Sequence, residues 1–244
     1  MPTNHLILED CESRDNTLLH NACDSLDIDV IFADRHSLDG IPENCPIDGT
    51  ALSGGWTFCR RVARSLGGRV LEPADDFLPS LPFRFVNRRI ATTTLAAARG
   101  SAEPQFVKPV KDKPFPAGVY DRGTDILAAD ADGDMLVLTS EPVVWEIEYR
   151  LFVLDREIVA VSPYRWTEGD YPGKEMEQEA RRFGALVLGH AAVTVPRAVV
   201  LDVGRIAGTG WSVVEANAAA MSGIYDCDPV RVLQVLEAGL VADS

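Results

Sequence analysis

No apolar run in this 244-residue chain is long enough to span a bilayer, and the opening MPTNHLILED has neither the basic start nor the apolar core of a secretory signal. The expectation is a soluble, cytoplasmic protein with no membrane partner. Cysteine is sparse. Cys11, Cys23, Cys45, Cys59 and Cys227 are odd in number, widely spaced and without a Cys-x-x-Cys pair, which argues against a disulfide framework and against a zinc cluster. Of the histidines, His20 lies three residues from Cys23 without a second ligand pair, and His5, His36 and His190 have no evident catalytic neighbours. Positive charge is short as well: 23 Lys and Arg stand against 37 Asp and Glu, a formal net charge of −14. Such a balance speaks against nucleic acid as a partner. The Walker pattern Gly-x-x-x-x-Gly-Lys-Ser/Thr is missing, and no internal repeat or low-complexity segment is present.

What the chain does contain is apolar residues, 46% of the total, enough to bury a core in one large domain or two small ones. Charge is unevenly distributed. Residues 1–48 hold eleven acids against two arginines, whereas residues 49–115 hold eleven Lys or Arg against five acids. A basic middle suits a small anionic ligand such as a nucleoside triphosphate, or is a solvated surface. HLILE and IDVIFAD read as strands on either side of a helix from Thr17 to Leu26, followed by a loop through Gly49. A helix from about Trp56 to Leu66, entered through Ser53-Gly54-Gly55, leads to a strand at RVLEP. Alternating strands and helices predict a small parallel α/β unit. Asn87 is placed to cap a helix over RRIATTTLAAAR that Gly100 would end. Residues 105–166 then read as four or five antiparallel strands.

Three stretches carry candidate chemistry. In VVLDVGRIAGTGWSVVEAN, the carboxylate of Asp202 interrupts a buried strand, and Glu215 and Asn217 share one face of the next. Two carboxylates and an amide oxygen are hard ligands suited to Mg²⁺; the alternative is the wet face of an ordinary hairpin. Lys108, at the end of the apolar strand QFVKP, precedes a loop bearing Lys111, Lys113 and Gly118 that either covers phosphate oxygens or is a basic surface turn. Finally, strict alternation over VVWEIEYRLFV puts Glu146, Glu148, Arg150 and Phe152 on one face, with Arg165 joining them if the register allows.

In this order, FVKP at 106–109, SEPV at 140–143, EYRLFV at 148–153, Arg165, the Asp of VVLDV, and VVEAN followed by SGIYDCDP resemble the ATP-grasp superfamily. The likeness covers about residues 84–239 and is greatest to a small clade named for two arginines and one lysine. It implies an α/β plus α+β protein: an N-terminal parallel α/β domain (1–83) and a two-subdomain ATP-grasp fold (84–140 and 141–244). It implies ATP and Mg²⁺ as cofactors, with Lys108 on the α and β phosphates under the 111–118 loop, where Lys113 has no secure counterpart. The backbone of Glu141 and Val143 would read the adenine edge and Glu148 the ribose hydroxyls. Arg150 and Arg165 would face the γ phosphate, and Asp202, Glu215 and Asn217 would hold Mg²⁺. The activity implied is a carboxylate-amine ligase acting on an amino acid, peptide or similar small acid through an acyl phosphate. A phosphotransferase on the same scaffold, or a nucleotide-binding module without turnover, are the alternatives. The full phosphoryl-transfer set weighs against the module.

Overall fold

The computed structural model describes residues 3–111, 114–127, 131–167, 169 and 171–243. The chain opens with β1 (His5–Glu9), whose Leu6, Ile7 and Leu8 are fully buried. Ser13 caps α1 (Arg14–Leu26) by accepting the Asn16 N–H, and Asp27 closes that helix in the left-handed region. β2 (Asp29–Ala33) follows, then the long loop, then β3 (Thr50–Ser53). β1 pairs in parallel with both neighbours, giving the order β2-β1-β3. The sequence reading leaves β3 unassigned, because four residues with one apolar pair show no period.

α2 (Trp56–Ser65) matches expectation, whereas β4 (Gly68–Val70) begins one residue earlier than the expected RVLEP strand and stops before Leu71. Two single-turn helices, α3 (Phe77–Ser80) and α4 (Phe83–Val86), come next. Here the expectation of a helix over RRIATTTLAAAR fails in its first half. Asn87 ends α4 in the left-handed conformation, and Ile90–Thr94 form a strand, β5. Three consecutive threonines are stiff at χ1 and favour an extended backbone, which outweighs the helix-forming alanines beyond them. The helix α5 (Leu95–Arg99) begins only at its true cap, Thr94, which accepts the Ala97 N–H, and Gly100 does end it.

The expected antiparallel strands are present but fall into two sheets. β6 (Gln105–Pro109), β7 (Gly118–Tyr120) and β8 (Leu136–Ser140) join β5 in the order β5-β8-β6-β7. β9 (Trp145–Leu154) and β10 (Glu157–Trp166), then helix α6 (Lys174–Leu188), precede β11 (Ala198–Ile206) and β12 (Gly210–Asn217). These four strands form the sheet β10-β9-β11-β12. The chain ends in α7 (Pro229–Ala238), capped by Asp228, and β13 (Leu240–Ala242), which pairs with β4.

The second antiparallel sheet is covered on both faces. One face, with Ile147, Tyr149, Leu151, Leu201 and Val203, packs on α6, α3 and α4. Gly184 of α6 sits so close to Leu151 that an added Cβ would lie 2.3 Å from its side chain. The other face contributes Phe152, Ala160 and Val200 to a cluster with Leu6 and Leu8 of β1 and Val232, Leu233 and Leu236 of α7. The same face, further along the strands, carries Glu148, Arg150 and Asp202. Among the described residues no helix is long and apolar enough to cross a membrane.

Candidate functional site

Strand register determines which polar groups meet. Asp202 of β11 lies opposite Arg150 of β9 on one side and Glu215 of β12 on the other. A register shift beside Asp202 leaves Val214 as the extra residue and keeps Glu215 and Asn217 facing it. Arg150 grips Asp202 with both prongs, Nε to Oδ1 at 3.0 Å and Nη2 to Oδ2 at 2.7 Å, and donates its third nitrogen to the Gly223 carbonyl at 3.1 Å. Asp202 is fully buried. Burial pushes its carboxyl up to about 6 even against the guanidinium, with Glu215 and Glu148 adding to the rise.

Lys108 reaches across from β6 of the other sheet and pairs with Glu215. The Asn217 amide donates to Glu215 at 2.8 Å and stands 3.4 Å from Asp202. Burial would raise the Glu215 carboxyl, but the Lys108 ammonium and the Asn217 amide outweigh it and hold the group below the usual carboxylate range. Asp202, Glu215 and Asn217 therefore fit a hard cation in donor chemistry: two carboxylates and an amide, balanced here by Arg150 and Lys108. Among the described residues no group of three His, Cys, Asp or Glu side chains could hold a metal; the set here is two carboxylates and an amide.

The register also brings Arg165 to the same face. A shift between Pro163 and Arg165 places Arg165 opposite Glu148, and its guanidinium donates to Glu148 at 3.1 Å. Glu148 also accepts the Tyr164 hydroxyl at 2.5 Å. Arg165 is otherwise open to solvent while Glu148 is buried. Glu141, in the link between β8 and β9, is bound through its carboxylate to the Arg89 N–H at 2.7 Å and to the Arg89 guanidinium at 2.5 Å. These bonds hold its carboxyl below the ordinary value. Val143 lies half-buried two residues on. Lys113 lies outside the described residues. Lys111, in the same loop, pairs with Asp75 at 2.8 Å, and Phe115 is buried against the core of the first antiparallel sheet.

Sequence reasoning did not find several residues that shape this site. Arg88 is buried and donates to the carbonyls of Val86, Val213 and Val214, pinning β12 just before Glu215. Burial brings its guanidinium down to about 10, against the pull of Glu148. Asn87 adds bonds to Trp211 and Ser212 of the same strand. Tyr164 and Tyr225 stack at 5.3 Å, and the Arg150 guanidinium lies 5.3 and 5.2 Å from their centroids. Tyr225 has φ +51°, and its loop is held by Asp15, which accepts the Ile224 N–H, and by Ser162, which accepts the Asp226 N–H. In the sequence Arg88 and Tyr164 look like any surface Arg or Tyr, and only the fold reveals their partners; Tyr225 lies within the SGIYDCDP motif, and Asn87 reads there only as a helix cap.

A family model matches residues 85–235; it describes an ATP-grasp domain, the second family of the clade named for two arginines and one lysine. Among solved structures, the chain is similar to a RimK domain protein ATP-grasp from Sphaerobacter thermophilus DSM 20745, with TM-score 0.59 and 16% identity over 98% of this chain and 100% of that one. It is similar to D-cycloserine synthetase DcsG, with TM-score 0.58 and 17% identity over 97% and 99%. It is also similar to an L-amino acid ligase from Bacillus licheniformis, with TM-score 0.57 and 11% identity over 99% and 76%. At such identities the likeness establishes the fold. No curated protein matches the sequence.

Proposed function

Because the chain belongs to the ATP-grasp superfamily, in the second family of its two-arginine, one-lysine clade, we propose that it is an ATP-dependent ligase joining a small carboxylic acid to an amine. The observation that carries this reading is the meeting of Lys108 from one sheet with Asp202, Glu215 and Asn217 of the other, beside an open cleft of about 1160 Å³. On the same reading residues 1–83 form a preceding domain, and the link at Glu141 joins two ATP-binding subdomains.

A carboxylate is a poor electrophile because its charge repels nucleophiles and oxide leaves badly. Phosphorylation by the γ phosphoryl group of ATP makes it reactive, and the negative charge gathered on that group calls for fixed cations. Lys108 exchanges Glu215 for phosphate oxygens as the nucleotide enters. Arg165, exposed and tied by one bond to Glu148, has a fork free to turn toward the γ phosphate. Arg150, expected on the γ phosphate, has all three guanidinium nitrogens bonded to Asp202 and the Gly223 carbonyl, and on this reading it acts from behind Asp202, holding that carboxylate oriented. Asp202, Glu215 and Asn217 would hold Mg²⁺, which would supply positive charge to offset that of the phosphates. The backbone at Glu141 and Val143 reads the adenine edge, and Glu148 takes the ribose hydroxyls. The 111–118 loop excludes water, protecting the acyl phosphate from hydrolysis.

The test is incubation with ATP, Mg²⁺, hydroxylamine and a panel of acids. ADP, phosphate and a hydroxamate are expected. Formation of AMP would exclude the acyl-phosphate route, and a stable phosphorylated acceptor would identify a kinase.

A further inference from the structure

The cleft beside Lys108, Glu215 and Asn217 runs on to the first turns of α2, where Trp56, Arg60, Glu72 and Phe77 line it. Among the described residues that line it, none is Glu141, Val143 or Glu148, the residues assigned to the nucleoside. The space therefore leads from Lys108 and Glu215 toward a wall formed by residues 56–78, away from those nucleoside residues.

α2 is built to present that wall. Phe58, Cys59, Val62 and Ala63 bury one face, so Trp56 and Arg60, one turn apart, emerge on the other. Trp56 stays 42% exposed, unusual for a ring whose burial is so favourable. The Arg60 guanidinium covers it at 4.2 Å from the centroid. Glu72 holds Arg60 by a double hydrogen bond of 3.0 and 2.8 Å, and Asp75 holds Lys111 at 2.8 Å. The Gly55 N–H at the start of the helix already donates to the buried Glu9 at 2.6 Å. Arg60 and Lys111 on this wall thus each have their own carboxylate, and what the wall offers a ligand is apolar surface with its charge compensated.

Resting on the ligase reading above, we propose that Trp56 is a specificity-determining residue for the carboxylate substrate. The side chain of that substrate is apolar and lies against Trp56 and Phe77. A second carboxylate on the substrate is rejected, because it would lie beside Glu72 and Asp75 without a cation to receive it.

The test compares apolar acids (4-methylpentanoate, 3-phenylpropanoate, leucine, phenylalanine) with dicarboxylic ones (glutarate, glutamate), with hydroxylamine as nucleophile. Hydroxamate and ADP are read together with calorimetric MgATP affinity. The expected result is turnover of apolar acids. Trp56→Ala should lower kcat/KM for them about 10- to 100-fold with MgATP affinity unchanged, Trp56→Phe should restore most of it, and Glu72→Gln, by releasing Arg60, should admit dicarboxylic acids. If MgATP binds but dicarboxylic acids are preferred, no acid reacts, or Trp56→Ala leaves selectivity unchanged, the inference is overturned and the nucleotide site stands. If MgATP does not bind, the ligase reading falls and this inference with it.

Discussion

In the sheet β10-β9-β11-β12 the middle strands are buried almost end to end, whereas in β5-β8-β6-β7 the middle strands bury only Val137, Leu138 and Ser140 of β8 and Val107 and Pro109 of β6, and the edge strands bury none. The first sheet has hydrophobic layers on both faces, whereas Val119 and Leu136 of the second remain exposed. Their charged residues differ accordingly. Asp202 and Arg150 are sealed in the thick sheet and bonded in a fixed fork, while Lys108 projects from the thin one with a third of its side chain exposed. A charge that must keep one geometry needs a rigid surround, and a charge that must change partners needs freedom to move. Asp202, among the proposed metal ligands, has the first setting, and the proposed phosphate ligand has the second.

The largest expected effect tests the sealed pair. Asp202→Asn removes the partner of a buried guanidinium, so unfolding in urea should show a loss of about 3–5 kcal/mol in addition to a fall in turnover of orders of magnitude. Glu215→Gln, at a partly exposed position, should abolish turnover comparably with little change in stability. Equal destabilisation by the two would erase the distinction between fixed and exchangeable charges. Lys108→Met comes next. It should weaken ATP about a hundredfold by calorimetry, because charge-assisted bonds to phosphate are lost, with the urea midpoint nearly unmoved. A collapse in stability would mean that Lys108 is a structural strut between the sheets.

A smaller effect is expected at Arg88. Removing it by Arg88→Met leaves the carbonyls of Val86, Val213 and Val214 short of a donor, at a cost of about 2–3 kcal/mol. Because β12 is pinned there, the Mg²⁺ concentration needed for half-maximal activity should rise as well. A variant with lowered stability but unchanged Mg²⁺ dependence would confine Arg88 to the fold.

How much of this is legible in the sequence follows the same division. Alternation along β9 reveals Glu148 and Arg150 as one face because a thick sheet enforces its period strictly, and the buried run around Asp202 marks itself by its one charge. The ordered motifs point to the superfamily, and the family match agrees. Local signals are weaker where the structure is thin. At β5 the alanines beyond the strand dominate the window and favour helix; β3, though buried throughout, escapes for a different reason, being too short to show a period. Arg88 and Tyr164 do not stand out, since their importance comes from carbonyls and carboxylates distant in the chain, at Val213 and Glu148 respectively.

The smallest expected effect lies at the misread boundary itself, where β5 passes directly into α5. Thr94 is the last residue of the strand and also the helix cap, extended at φ −85° and ψ 154°, with its hydroxyl accepting the Ala97 N–H at 3.2 Å. Thr94→Ala removes that acceptor and leaves a first-turn amide to solvent, a cost of about 1 kcal/mol. Thr94→Ser keeps the acceptor and should cost less. Since alanine also favours helix over strand, the lost cap should let helix compete for the end of β5, where Thr94 pairs with Leu136 of the half-covered sheet. Amide hydrogen exchange should therefore quicken at residues 93–97 in Thr94→Ala while protection at Asp202 and its neighbours is unchanged. Faster exchange in both sheets would show that the thin sheet supports the thick one, and the contrast between them would then be one of exposure alone.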